Sequence, residues 1–251
     1  MAKLGRGGGL LRFLIFVLVL SLVATLFWGA GRYFSKPVDT GPVTPSRAPV
    51  TVVLDAGHGG EDGGTVGGSG VCEKDLNLAL ALTLRDLLTA NGVKVVMTRE
   101  DDRLLYDPNA DYHGRKKALD LAERRRIAEA TPNAVFISIH MNAYPDPQYR
   151  GLQVWYSKNH PDSEQLAASL QRRIRETLQP DNDRDVKPAT SSIYLLHHLR
   201  IPAVLIECGF LSNPEECELL ASESYRRQLA MELFLAITDA PLLCGITPTA
   251  A

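Results

Sequence analysis

Val50-Thr-Val-Val-Leu-Asp-Ala-Gly-His58-Gly-Gly60 is the stretch that decides the fold. A β-branched and aliphatic run ends in a polar, glycine-rich turn, as a buried strand does where it leaves a sheet. The pattern returns at Val135-Phe-Ile-Ser-Ile-His140-Met-Asn-Ala and at Ala203-Val-Leu-Ile-Glu207-Cys-Gly-Phe. Val93-Lys-Val-Val-Met97 and Leu152-Gln-Val-Trp-Tyr156 read as further strands. Helical spacing fills the intervals. Leu76, Leu80, Leu84, Leu87 and Leu88 recur ahead of the stop signal Asn91-Gly92, and residues 116–130 form a second helix. Asp162, with Gln165 three residues on, reads as the cap of a helix carrying Leu166, Leu170, Ile174 and Leu178. Asn213-Pro214-Glu-Glu opens a helical region that Tyr225, Leu229, Leu233 and Ile237 continue. Alternating strands and helices predict a single α/β domain: a twisted, mostly parallel sheet with helices on both faces. In such sheets ligands bind beyond the carboxyl ends of the strands, where His58, His140 and Glu207 fall.

The amino-terminal part differs. Lys3, Arg6 and Arg12 precede an uncharged run over residues 13–30, rich in Leu, Val and Phe. That is close to the shortest apolar stretch that spans a bilayer as a helix. Residues 1–12 then form a basic cytoplasmic segment, with the remainder outside. An uncleaved, single-pass anchor is the reading taken for residues 13–30. A cleaved signal sequence, leaving a secreted protein, is its rival. Residues 31–49 are proline-rich and predict an extended linker. The catalytic domain is placed at residues 50–240 and a tail at residues 241–251.

With 45% hydrophobic and 22% charged residues the chain suits a packed core, and a formal net charge of -2 argues against a nucleic-acid partner. Arg124-Arg125-Arg126 reads as the solvated face of a helix. Four cysteines in 251 residues make no disulfide scaffold and no Cys-x-x-Cys pair. Cys72 and Cys208 each adjoin a candidate carboxylate, so a bridge between them is conceivable, but buried free thiols are the preferred reading.

The polar residues at the strand ends carry the chemistry. Two imidazoles and a carboxylate are a common catalytic zinc set with an open fourth position. His58 and His140 supply the imidazoles. Glu73, in Cys72-Glu73-Lys-Asp after a long glycine-rich loop, supplies the acid from a separate segment, although alone it would merely suit a helix dipole. Glu207, at the end of an apolar strand, should be raised by desolvation and so suit a general base. His113, His160, His197 and His198 carry weaker cases.

Taken together, Asp-Ala-Gly-His58-Gly-Gly, Glu73-Lys-Asp, Ser-Ile-His140-Met-Asn-Ala and Ile-Glu207-Cys-Gly-Phe-Leu-Ser-Asn resemble the zinc-dependent N-acetylmuramoyl-L-alanine amidases of the Amidase_3 family. The resemblance covers about residues 50–238. It implies Zn2+ held by His58, Glu73 and His140, with Glu207 as the catalytic acid/base and peptidoglycan as substrate. The short domain and single amino-terminal hydrophobic segment resemble the sporulation subgroup, acting on spore-cortex peptidoglycan so that muramic δ-lactam can form, with an accessory lipoprotein as partner. Some relatives insert an autoinhibitory helix between the second histidine and the last glutamate. Here that interval holds 66 residues, already filled by a strand, a helix and the polar loop 181–192, which is expected to shape substrate choice. A metallopeptidase cutting within the stem peptide, and an inactive peptidoglycan-binding module, are the competing expectations.

Overall fold

The computed structural model describes residues 7–34, 49–68, 70–107 and 113–243. The chain divides into two compact units, Met1–Pro45 and Ser46–Ala251. In the first, helix α1 runs over Gly7–Phe34, so it begins inside the expected basic segment and enters the expected linker. The rest of that linker, residues 35–48, lies outside the described residues. Side chains of α1 are described for residues 13–26 and Trp28, all exposed. Among the described residues no helix is long and apolar enough to cross a membrane.

The second unit carries the sheet. Its strands are β1 (Thr51–Ala56), β2 (Lys94–Met97), β3 (Ala134–Asn142), β4 (Gln153–Tyr156), β5 (Lys187–Pro188) and β6 (Ala203–Phe210), in the order β2-β1-β3-β6-β4-β5. All neighbouring pairs are parallel except β4 with β6, so the sheet is mixed and mostly parallel. Alternation along the strands feeds two cores. Val52, Leu54, Val135, Ile137, Val204 and Ile206 face the side covered by α2 (Glu73–Ala90), α4 (Asp162–Thr177) and α7 (Glu223–Thr238). Val53, Phe136, Ala203 and Leu205 face the side covered by α3 (Lys116–Ala130) and α5 (Tyr194–His198). Helices therefore flank both faces, as the period-2 and helical spacings required.

Boundaries depart from expectation in three places. The last helical region is broken at Ser222, whose extended backbone separates α6 (Pro214–Ala221) from α7. Asn213 caps α6 as foreseen, its side chain accepting from the Glu216 N–H at 3.0 Å. Asp162 is instead the first residue of α4, preceded by Pro161 with no side-chain cap bond. The region expected as a tail contributes to the core, where Leu242 and Leu243 are buried; residues 244–251, Cys244 among them, lie outside the described residues. Cys72, Cys208 and Cys217 are free thiols.

Candidate metal centre

β1 and β3 lie side by side, with Ala56 opposite Ile139, and β6 lies on the far side of β3, with His140 opposite Glu207. This register brings the carboxyl ends of three strands to one edge of the sheet. His58 follows β1 by one glycine, and Glu73 opens α2 beneath the loop that His58 begins. His58, Glu73 and His140 each offer one donor atom, all within 4.8 Å of one another. His58 Nε2 stands 3.2 Å and His140 Nδ1 3.0 Å from the same oxygen, Glu73 Oε1. His113, His160, His197 and His198 do not join the cluster.

Glu73 is held as well as placed. Its Oε1 accepts from the Met141 N–H at 3.1 Å and Asn77 Nδ2 at 3.3 Å, and its Oε2 accepts from the Thr65 N–H at 2.9 Å. Burial pushes the Glu73 carboxyl up, but hydrogen bonds from His140 and His58 outweigh it and hold it well below the usual carboxylate range. The anionic form is thus the resting form. Burial pulls the His58 imidazole down while Glu73 and then Asp62 raise it, and the net direction is up. Asp62 Oδ2 lies 3.0 Å from His58 Nδ1 but out of line for a hydrogen bond, so the contact is an ion pair at most.

Glu207 is pushed up by burial; His140 lowers it, Glu73 raises it, and the net direction is up. Its Oε2 is sealed from solvent with no partner. A buried carboxylate oxygen with an unused lone pair is costly in a merely structural role, and it is what proton transfer requires. Two imidazole nitrogens and a carboxylate are a donor set that suits zinc, so the residues present fit that ion.

Around the centre lies a layer that the sequence reading missed. Asp55, buried on β1, accepts from Arg124 Nη1 at 2.6 Å, Thr98 Oγ1 at 2.7 Å and Ser138 Oγ at 2.6 Å. Arg124 also pairs with Asp120, 2.8 Å from its Nε, and donates to the carbonyls of Ala56 at 2.8 Å and His58 at 2.7 Å. Arg99 donates to the carbonyls of Ala56 at 2.8 Å and Gly57 at 3.0 Å. Two buried guanidinium groups therefore grip three successive carbonyls of the turn that presents His58. The grip matters because His58 has φ of 61°, a left-handed conformation uncommon for a side-chain-bearing residue. Arg124, read from sequence as part of a solvated face, is 1% exposed. The signal was Asp55 itself, since an acid inside an apolar strand demands a buried cation.

Gly57 shows how tightly the turn is packed. A Cβ there would stand 2.2 Å from two atoms of the His140 ring. Gly57→Ala should displace that imidazole, and the purified variant is expected to lose most of its metal by elemental analysis while its circular dichroism stays native. Full metal content would show that the ring has room to give way.

Three convergent ligand-type side chains at a sheet edge, with one spare acid beside them, are an arrangement that would suit a metal-dependent hydrolase. The family model for N-acetylmuramoyl-L-alanine amidase, Amidase_3, matches residues 52–239, and the chain belongs to that family and is such an amidase, acting on peptidoglycan. It is 38% identical over 186 residues to the germination-specific N-acetylmuramoyl-L-alanine amidase of Bacillus subtilis, covering 74% of this chain and 77% of that one. The CwlD amidase of Clostridioides difficile, solved in complex with the GerS lipoprotein, superposes with a TM-score of 0.72 at 40% identity, covering 76% of this chain and 98% of that one. The catalytic domain of CwlV from Bacillus (Paenibacillus) polymyxa var. colistinus gives 0.63 at 31% identity, over 76% and 97% of the two chains.

Proposed function

We propose that the chain cleaves the bond between N-acetylmuramic acid and L-alanine with zinc held by His58, Glu73 and His140, and with Glu207 as acid/base. The observation that carries this reading is the meeting of three donor atoms within 4.8 Å beside a buried carboxylate oxygen that has no partner. A divalent ion at such a set acts as a Lewis acid toward the scissile carbonyl and the attacking water. Glu207 accepts a proton from that water, whose oxygen adds to the lactyl carbonyl carbon. The carbon–nitrogen bond then breaks, and Glu207 returns the proton to the departing alanine nitrogen. Glu73 stays anionic throughout, oriented by Thr65, Met141 and Asn77.

Digestion of peptidoglycan by the purified protein, followed by mass spectrometry, is expected to release stem peptides that begin with L-alanine. Shorter fragments would mean cleavage inside the peptide instead. His140→Ala should come through purification without its ion; unchanged metal stoichiometry would remove His140 from the ligand set.

The biological setting proposed is maturation of the spore cortex, where stripping the stem peptide frees the lactyl carboxylate from which muramic δ-lactam forms. The germination-specific relative supports this, and cortex from a deletion strain that retained its δ-lactam would refute it. Complex formation between the CwlD neighbour and a lipoprotein supports an accessory lipoprotein here as well, testable by co-purification. Residues 13–30 are proposed as a single-pass anchor or signal sequence that places the amidase domain outside the cytoplasm. The exposed apolar side chains of residues 13–26 support this. An uncleaved anchor would resist carbonate extraction of membranes, and full release of a full-length chain would rule it out.

A further inference from the structure

Beyond the carboxyl ends of β3 and β6 stands a pair of exposed aromatic rings that the chemistry above does not use. Tyr144 and Tyr149 are 51% and 41% exposed, with ring centroids 4.6 Å apart at 66°. Tyr149 lies 6.4 Å from the buried ring of Phe210, and the Arg184 guanidinium sits 4.5 Å over Phe210 and 5.8 Å from Tyr149.

The loop bearing both tyrosines is pinned from below. Ser212 Oγ accepts from the Tyr144 N–H at 3.0 Å, and Asn213 Nδ2 donates to the Pro147 carbonyl at 2.8 Å. Glu216 accepts from the N–H groups of Gly151 at 2.9 Å and Phe210 at 2.7 Å. Two large rings are thus fixed in water by a scaffold of polar bonds, the form of a preorganised binding surface rather than of a collapsed core.

We propose that Tyr144 and Tyr149 form a subsite for the uncharged sugar rings of the glycan strand that flank the muramic acid being cleaved. This rests on the amidase reading of the same centre. Tyr144 follows His140 by four residues, so it stands at most about 14 Å away along extended chain, the reach of a short run of sugars. The surroundings select a neutral ligand. Arg184 already donates to the Arg150 carbonyl at 2.7 Å and to Gln153 Oε1 at 3.1 Å. Arg150 faces Asp181 at 3.9 Å and Glu215 at 4.0 Å, and Asp146 lies in the same loop. Both guanidinium groups of this corner are therefore engaged, and the acids disfavour the carboxylates of a stem peptide. N-acetylated sugars carry no charge, and their C–H faces stack on aromatic rings. Arg184, from the polar loop 181–192, serves as the prop under Tyr149.

Tyr144→Ala, with Tyr144→Trp as its rescue, tests the subsite. The alanine variant should raise KM for polymeric peptidoglycan about tenfold, the worth of one aromatic contact, with kcat kept. It should leave hydrolysis of a one-sugar muramoyl dipeptide unchanged, and tryptophan should restore the polymer KM. Equal losses on both substrates, or none on either, would overturn the assignment. Titration with a peptide-free oligomer of N-acetylglucosamine, followed by tyrosine fluorescence, needs no catalysis. A response in the parent that vanishes in the alanine variant upholds the subsite even if the amidase reading fails. No response in the parent sinks it even if the enzyme is active.

Discussion

Glu207→Gln is expected to keep its metal and to lose turnover by about a hundredfold or more. The amide side chain fits the same space beside β3, where Glu207 faces His140 across the ladder, so the three-ligand cluster should persist. What disappears is a base able to take a proton from water and give it to the alanine nitrogen. Elemental analysis together with the rate of stem-peptide release separates the two effects. Near-normal release would take the proton-transfer role away from Glu207. Loss of the ion along with activity would make Glu207 a contributor to metal retention instead.

Arg124→Met should be the costliest change to stability outside the cluster. It strands Asp55 and Asp120 inside the protein, and removing one member of a buried ion pair costs about 3–5 kcal/mol. Urea denaturation measures the loss. Burial alone raises Asp55, yet Arg124 and Ser138 more than offset this and hold its carboxyl below the usual value. In the parent, Asp55 therefore contributes stability that is present above its unfolded value, about 3.9, and lost as pH falls through the lower folded one. The variant reverses the sign. Burial without Arg124 leaves the folded carboxyl above its unfolded value, so the deficit is full near neutrality and shrinks as pH falls through that raised value. The gap between parent and variant should be narrower at pH 5 than at pH 7.5. An identical gap would show that loss of Arg124 leaves neither carboxylate uncompensated.

Much of the architecture was legible because the apolar runs at β1, β3 and β6 are buried on both faces, so each strand reads as a continuous hydrophobic word ending in a polar letter. His58, His140 and Glu207 stood out for the same reason, whereas Glu73, at the start of a helix, was singled out only by its place after the glycine-rich loop. Side chains that act through other atoms were harder to see. Arg99 was opaque because its partners are main-chain carbonyls, which leave no trace in a residue pattern. Arg124 also pairs with Asp55 and Asp120, and Asp55 was the trace that went unread. Asp162 looked like a cap because a capping acid and a first-turn acid share one composition. The break at Ser222 was hidden because the apolar spacing continues across it. Tyr144 and Tyr149 lie in a proline-containing loop, where no period marks which rings stay in water.

β6 is late in the chain yet central in the sheet, between β3 and β4. The pair β4-β5 meets the rest of the sheet only through it, so the sheet is continuous only once that segment is in place. Closing so long a loop is among the slower events of folding. The same segment sets Glu207 beside His140, so one strand both joins the sheet and supplies the proposed acid/base. A chain clipped before residue 203 would lack both that join and Glu207, so stem-peptide release should depend on completion of the sheet.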